Sequence, residues 1–148
     1  MVYLQLQKDQ EGAETLYHKD IGESIHQLVI TVPGQAALLI ESEAGKVGSW
    51  KIVKPVMGVA NTQSLQQLFT LLGEPILAEY AVEGKDLRSF GLADSAIQVR
   101  FNDVEYRLGN LNPVNHRRYV LLKDRVLMVN EAVYELLMRG VDSFKEKE

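Results

Sequence analysis

The sequence predicts an α+β fold: antiparallel sheet built from a meander and hairpins, with two amphipathic helices packed on it. Three observations carry that prediction. Apolar residues alternate at period two in short runs between residues 25 and 54, with turn residues between the runs. Two five-residue runs, 97–101 and 104–108, match face to face around a two-residue turn. Two further segments space Leu and Phe at helical intervals, and each ends in glycine.

The elements follow in order. Residues 1–20 read as polar apart from Val2, Tyr3, Leu4 and Leu6, with no cationic region leading an apolar one, so a signal peptide is not predicted. They read either as a flexible lead-in or as the stub left after removal of a membrane anchor. Leu28, Ile30 and Val32 alternate with Gln27, Val29 and Thr31, and Pro33-Gly34 turns the chain. A second strand is expected within 36–42, then a loop over 43–48. Trp50, Ile52 and Lys54 form a third strand that Pro55 ends, with Trp50 as a core anchor. Asn61 and Thr62 are both candidate N-caps for a helix whose face is Leu65, Leu68, Phe69 and Leu72, stopped by Gly73 and Pro75.

A strand over 76–82 and one helical turn over 86–90 lead to the clearest hairpin. A turn at Asn102-Asp103 pairs Phe101 with Val104, Val99 with Tyr106 and Ile97 with Leu108. Its other face pairs Arg100 with Glu105 and Gln98 with Arg107. A second hairpin around Lys123-Asp124 pairs Tyr119 with Met128, Val120 with Leu127 and Leu121 with Val126. Both of its faces are largely apolar, so it should be central or covered on both sides. Asn130 is expected to cap a last helix, with Glu131 near its positive end and Val133, Leu136 and Leu137 buried, closed by Arg139-Gly140. One domain over 21–142 results, with a charged tail at 143–148.

Composition narrows the function classes. At 148 residues the chain suits one domain with a substantial core. Sixteen Lys and Arg against twenty Asp and Glu leave a formal charge of −4, which disfavours nucleic acid as a partner. Without cysteine there are no disulfides, thiolate metal sites or cysteine nucleophiles. His18, His26 and His116 lack metal-ligand spacing. There is no Gly-x-Ser-x-Gly elbow, phosphate loop or dinucleotide fingerprint. The carboxylate pairs Asp20/Glu23 and Glu41/Glu43 come with no sign of the desolvation that acid–base work requires. Neither an enzyme nor a cofactor is predicted.

The segment 109–119 is the unusual one, a polar connection with three Asn followed by a cationic group. As a turn, its Asn side chains would bond their own backbone. As a recognition loop it would present Asn112, His116, Arg117, Arg118 and Tyr119, the arginines gripping a carboxylate or phosphate. Alternation along a strand would send Arg117 and Arg118 to opposite faces, leaving one of them for a given site.

An ordered series of local signals runs along the chain: Trp50-x-Ile52-x-x-Pro55, Ala60-Asn61 opening the first helix, Phe90-Gly91-Leu92, Leu108-Gly109-x-x-Asn112-Pro113, Arg118-Tyr119-Val120 and Val126-x-Met128-Val129. From about Ile21 to Leu137 this series resembles the bacterial domain of unknown function family 4340. The resemblance implies no enzymatic activity and no established ligand. It implies an N-terminal transmembrane helix holding the domain outside the cytoplasm, in some members beside ABC-transporter components of the gliding-motility type. That helix is missing from this sequence, and Val2-Tyr3-Leu4 reads as its exit end; a chain native from Met1 would be cytoplasmic instead. The expected function is a non-enzymatic, membrane-tethered protein-interaction or scaffolding module. The alternative is a small-ligand or glycan-binding domain using the loop 110–119.

Overall fold

Among the described residues, nine strands form one antiparallel sheet in the computed structural model, which covers 14–22, 24–42, 50–84, 86–93, 96–131 and 133–146. In chain order they are β1 (Gln27–Thr31), β2 (Leu38–Ser42), β3 (Trp50–Lys54), β4 (Gly58–Val59), β5 (Ala78–Ala81), β6 (Ile97–Phe101), β7 (Val104–Leu111), β8 (Arg118–Leu122) and β9 (Arg125–Val129). Their order across the sheet is β4-β3-β2-β1-β6-β7-β8-β9-β5. The loop expected over 43–48 lies outside the described residues.

Register follows the hydrophobic pattern, because a slip of one residue would turn every apolar side chain outward. In β1 and β2, Leu28 pairs with Ile40 and Ile30 with Leu38, and all four are buried. The hairpin β6–β7 has the expected pairs Ile97 with Leu108, Val99 with Tyr106 and Phe101 with Val104. The hairpin β8–β9 likewise pairs Tyr119 with Met128, Val120 with Leu127 and Leu121 with Val126. One pairing, β1 with β6, joins the meander to the hairpins into a single sheet by setting Leu28 against Phe101 and Ile30 against Val99.

The connection from β5 to β6 explains why β8 and β9 are apolar on both faces. β5 pairs with β9 at one edge, whereas β6 lies beyond β9, β8 and β7, and the described residues 86–93 of the connection lie against these strands on the face opposite the main core. A short 3-10 turn, Leu87–Phe90, sets the Phe90 ring 4.7 Å from Tyr119, and Arg107 Nη1 donates to the Leu92 carbonyl at 3.3 Å. Here the Phe90-Gly91-Leu92 and Leu108-Gly109 signals meet. A Cβ on Gly109 would lie 2.2 Å from the Phe90 carbonyl oxygen and 2.9 Å from Leu92. Backbone cannot yield as a side-chain tip can, so Gly109→Ala is expected to cost about 1–3 kcal/mol by overpacking, measured by urea unfolding.

The helices are short. Helix α1 (Thr62–Phe69) begins at Asn61, whose side chain accepts from the Ser64 N–H at 3.1 Å, and a 3-10 turn carries the chain on to Gly73. Leu65, Leu68, Leu71 and Leu72 are buried. Trp50 is partly buried against this core, its ring 5.8 Å from Phe69. The single last helix expected from the sequence is two: α2 (Tyr134–Met138) and α3 (Val141–Phe144), separated by Gly140 at φ +63°.

The packed body also exceeds 21–142. At its N-terminal side Leu16 is fully buried, its carbonyl accepts from the Tyr106 hydroxyl, and Thr15 bridges to Pro75. At its C-terminal side Phe144 is fully buried, and the Glu146 N–H donates to the Val59 carbonyl at 3.0 Å. Of the expected lead-in and tail, 1–13 and 147–148 lie outside the described residues. Among the described residues no helix is long and apolar enough to cross a membrane.

Candidate functional site

Strand alternation fixes the site's central residue. In β8 the side chains of Arg118, Val120 and Leu122 share the core face, so a guanidinium enters at the edge of an apolar interior. A charge in that position requires partners. Arg118 Nε donates to a Glu131 carboxylate oxygen, Nη1 donates to the Gly109 carbonyl at 2.7 Å, and the guanidinium carbon sits 3.9 Å from the centre of the Tyr134 ring. The other oxygen of Glu131 accepts from the backbone N–H groups of Val133 at 2.7 Å and Tyr134 at 2.9 Å. The side chain that caps α2 is therefore that of Glu131, two positions before the N-cap residue Val133; Asn130, expected in that role, is exposed. One carboxylate thus both neutralises Arg118 and satisfies the first turn of α2. Both side chains of the pair are at least nine-tenths buried.

This pair floors a cavity of about 550 Å³ between α1 on one side and α2 with α3 on the other. Asn61, Ser64 and Gln67 contribute from the α1 side, where the Ser64 hydroxyl donates to the Ser143 carbonyl and so ties α1 to α3. Glu135, Arg139 and Asp142 contribute opposite. Ser143 also lines the cavity; it is 8% exposed, and its hydroxyl has no hydrogen-bond partner among the described residues. The lining holds two arginines and three carboxylates.

The loop residues singled out from the sequence do not converge. Asn112 organises a turn: its Oδ1 accepts from the Val114 N–H at 2.8 Å, and its Nδ2 donates to the Tyr119 hydroxyl at 2.9 Å. Asn115 accepts from the Arg117 N–H at 3.0 Å, and His116 is exposed at φ +59°. Asn112 and Asn115 thus serve their own backbone, and Tyr119 lies under Phe90 on the opposite face of the sheet. Of the five, Arg118 alone lines the cavity. The remaining lining comes from α1, α2 and α3, segments read from the sequence only for their apolar stripes. Among the described residues no three His, Asp or Glu side chains gather as metal ligands would.

Burial, and then the nearby Glu131 carboxylate, hold the Glu74 carboxyl above its ordinary range. A raised carboxyl favours the protonated folded state, so its contribution is full at low pH and is lost as pH rises through the folded pKa. Glu74→Gln is accordingly expected to be more stable than the parent at pH 7 and to lose that advantage below about pH 4. Thermal unfolding of the two proteins across that range is the check.

No known protein family, curated protein or solved structure matches the chain, so this cavity stands on its own geometry.

Proposed function

We propose that the chain is a non-enzymatic binding module whose ligand, a small polar molecule, occupies the cavity over Arg118 and Glu131. The observation that carries this reading is the cavity of about 550 Å³ over the buried Arg118–Glu131 pair, lined by polar side chains of α1, α2 and α3 and of a size ordinary for ligand sites. It relocates the small-ligand alternative from the loop 110–119 to the cleft between α1 and α2–α3. The test is thermal unfolding of the parent and of Gln67→Trp, which fills the cavity from an exposed position, against a panel of small polar compounds. At least one compound should raise the midpoint of the parent and leave Gln67→Trp unmoved. A panel that moves neither protein, or both alike, overturns the reading.

A second reading is a scaffolding module that binds a protein, tethered at the inner membrane outside the cytoplasm beside an envelope component such as an ABC transporter. It rests on the resemblance to domain family 4340 and on one structural feature. Val56, Met57 and Val59 are 63%, 75% and 56% exposed at the β4 end of the sheet, a concentration of apolar surface typical of contact sites. Met57→Asp should then release the protein from its complex in envelope extracts while leaving its unfolding midpoint unchanged. Retention of Met57→Asp in the complex would remove this reading.

A further inference from the structure

We infer that the ligand of this cavity is a neutral polyhydroxylated molecule, a saccharide unit, an inference that rests on the binding reading above. The electrostatics exclude the obvious guest for an arginine. Glu131, the Gly109 carbonyl and the Tyr134 ring already engage the Arg118 guanidinium, so it is not a free anion receptor. The second arginine, Arg139, shares the lining with Glu135 and Asp142, and the lining as a whole carries one more negative charge than positive. A phosphate or carboxylate would meet no surplus of positive charge there.

A simple cation is a poor match as well, because donors and acceptors are interleaved. Asn61, a lining residue, spends its Oδ1 on the Ser64 N–H, which leaves its Nδ2 to donate. Gln67 offers one donor group and one acceptor, and the carboxylates of Glu135 and Asp142 accept only. A sugar hydroxyl also donates and accepts, so a ring carrying several of them can satisfy such a mixed lining where a single-sign ion cannot. One face of Tyr134 is already taken by Arg118, which removes that face as a stacking platform. Affinity for one or two sugar rings should accordingly be modest, with Kd on the order of 1 mM.

Amide NMR of the isotopically labelled chain tests the class directly, with maltose, cellobiose, lactose and N,N′-diacetylchitobiose as neutral saccharides, inorganic phosphate as the anion and putrescine as the cation. At least one disaccharide should saturably shift the amides of Asn61, Ser64, Arg139 and Ser143, with phosphate and putrescine silent there. Gln67→Ala should weaken that disaccharide about tenfold, the loss of one hydrogen bond from an exposed lining residue. Saturable shifts at these amides from phosphate or putrescine, with all four saccharides silent, overturn the saccharide assignment and leave the cavity as a ligand site. Silence from every probe overturns both.

Discussion

Glu131→Ala is expected to lower stability by about 3–5 kcal/mol, because it strands a buried guanidinium and uncaps a helix at once. Arg118 would keep the Gly109 carbonyl and the Tyr134 ring but lose its counter-charge at a site where its side chain is 9% exposed. The Val133 and Tyr134 N–H groups would lose their acceptor in the same change. Against a total of roughly 5–15 kcal/mol for a domain of this size, that leaves a protein near its unfolding threshold. Glu131→Gln separates the two contributions, since an amide oxygen can still receive the helix N–H groups; it should be less damaging than Ala. Arg118→Met combined with Glu131→Leu should recover part of the loss, because removing both charges avoids stranding one. Urea unfolding followed by the fluorescence of Trp50, the one tryptophan in the sequence, measures all three. A Glu131→Ala protein as stable as the parent would show that the pair does not hold α2 in place.

Asn102→Ala is expected to cost about 3 kcal/mol, far more than a turn residue on a hairpin ordinarily would. The residue sits at φ +54° between β6 and β7, a conformation Asn tolerates better than Ala. Its side chain is also a junction. Oδ1 accepts from the N–H groups of His26 at 3.0 Å and Gln27 at 3.3 Å, and Nδ2 donates to the carbonyls of Ile21 at 2.8 Å and Ser24 at 3.0 Å. It thereby orders the chain that enters β1, which is the strand joining the two halves of the sheet. Asn102→Gly, which relieves the φ constraint but makes none of these bonds, should lose nearly as much. If Gly instead restores parental stability, the backbone conformation is the reason for Asn and the four bonds are incidental.

These two residues also mark where the sequence stops being legible. Local pairing was readable to the residue, as in Val99 with Tyr106 and Tyr119 with Met128, because turn length and period two together leave one register. The β1–β6 pairing was not, since Leu28 and Phe101 are far apart in the chain and their meeting depends on the sum of all other packing. Asn102 was legible as a turn residue but not as a junction, because its four partners lie more than seventy positions away. Leu16 and Phe144 fall within polar segments, so composition hid two fully buried side chains.

The candidate site was less legible still. Cationic residues in an Asn-rich loop drew attention to 112–119, yet strand alternation buries Arg118 and sends Tyr119 to the other face. Glu131 looked like a dipole-favoured residue beside a cap, when it is both the cap and the counter-charge. Nothing in the spacing of Asn61, Gln67, Arg139 and Ser143 signals that α1 and α3 approach each other. That approach depends on Phe144 being buried and on its carbonyl accepting from the Asn61 N–H at 2.7 Å.

The most direct measurement compares Gln67→Ala with the parent in two assays at once: urea unfolding, and calorimetric titration with the disaccharide that shifts the cavity amides. The Gln67 side chain is exposed on α1, so its truncation should leave stability within about 0.5 kcal/mol of the parent while binding weakens about tenfold. A Gln67→Ala protein that binds the disaccharide as tightly as the parent would contradict the cavity as the binding site.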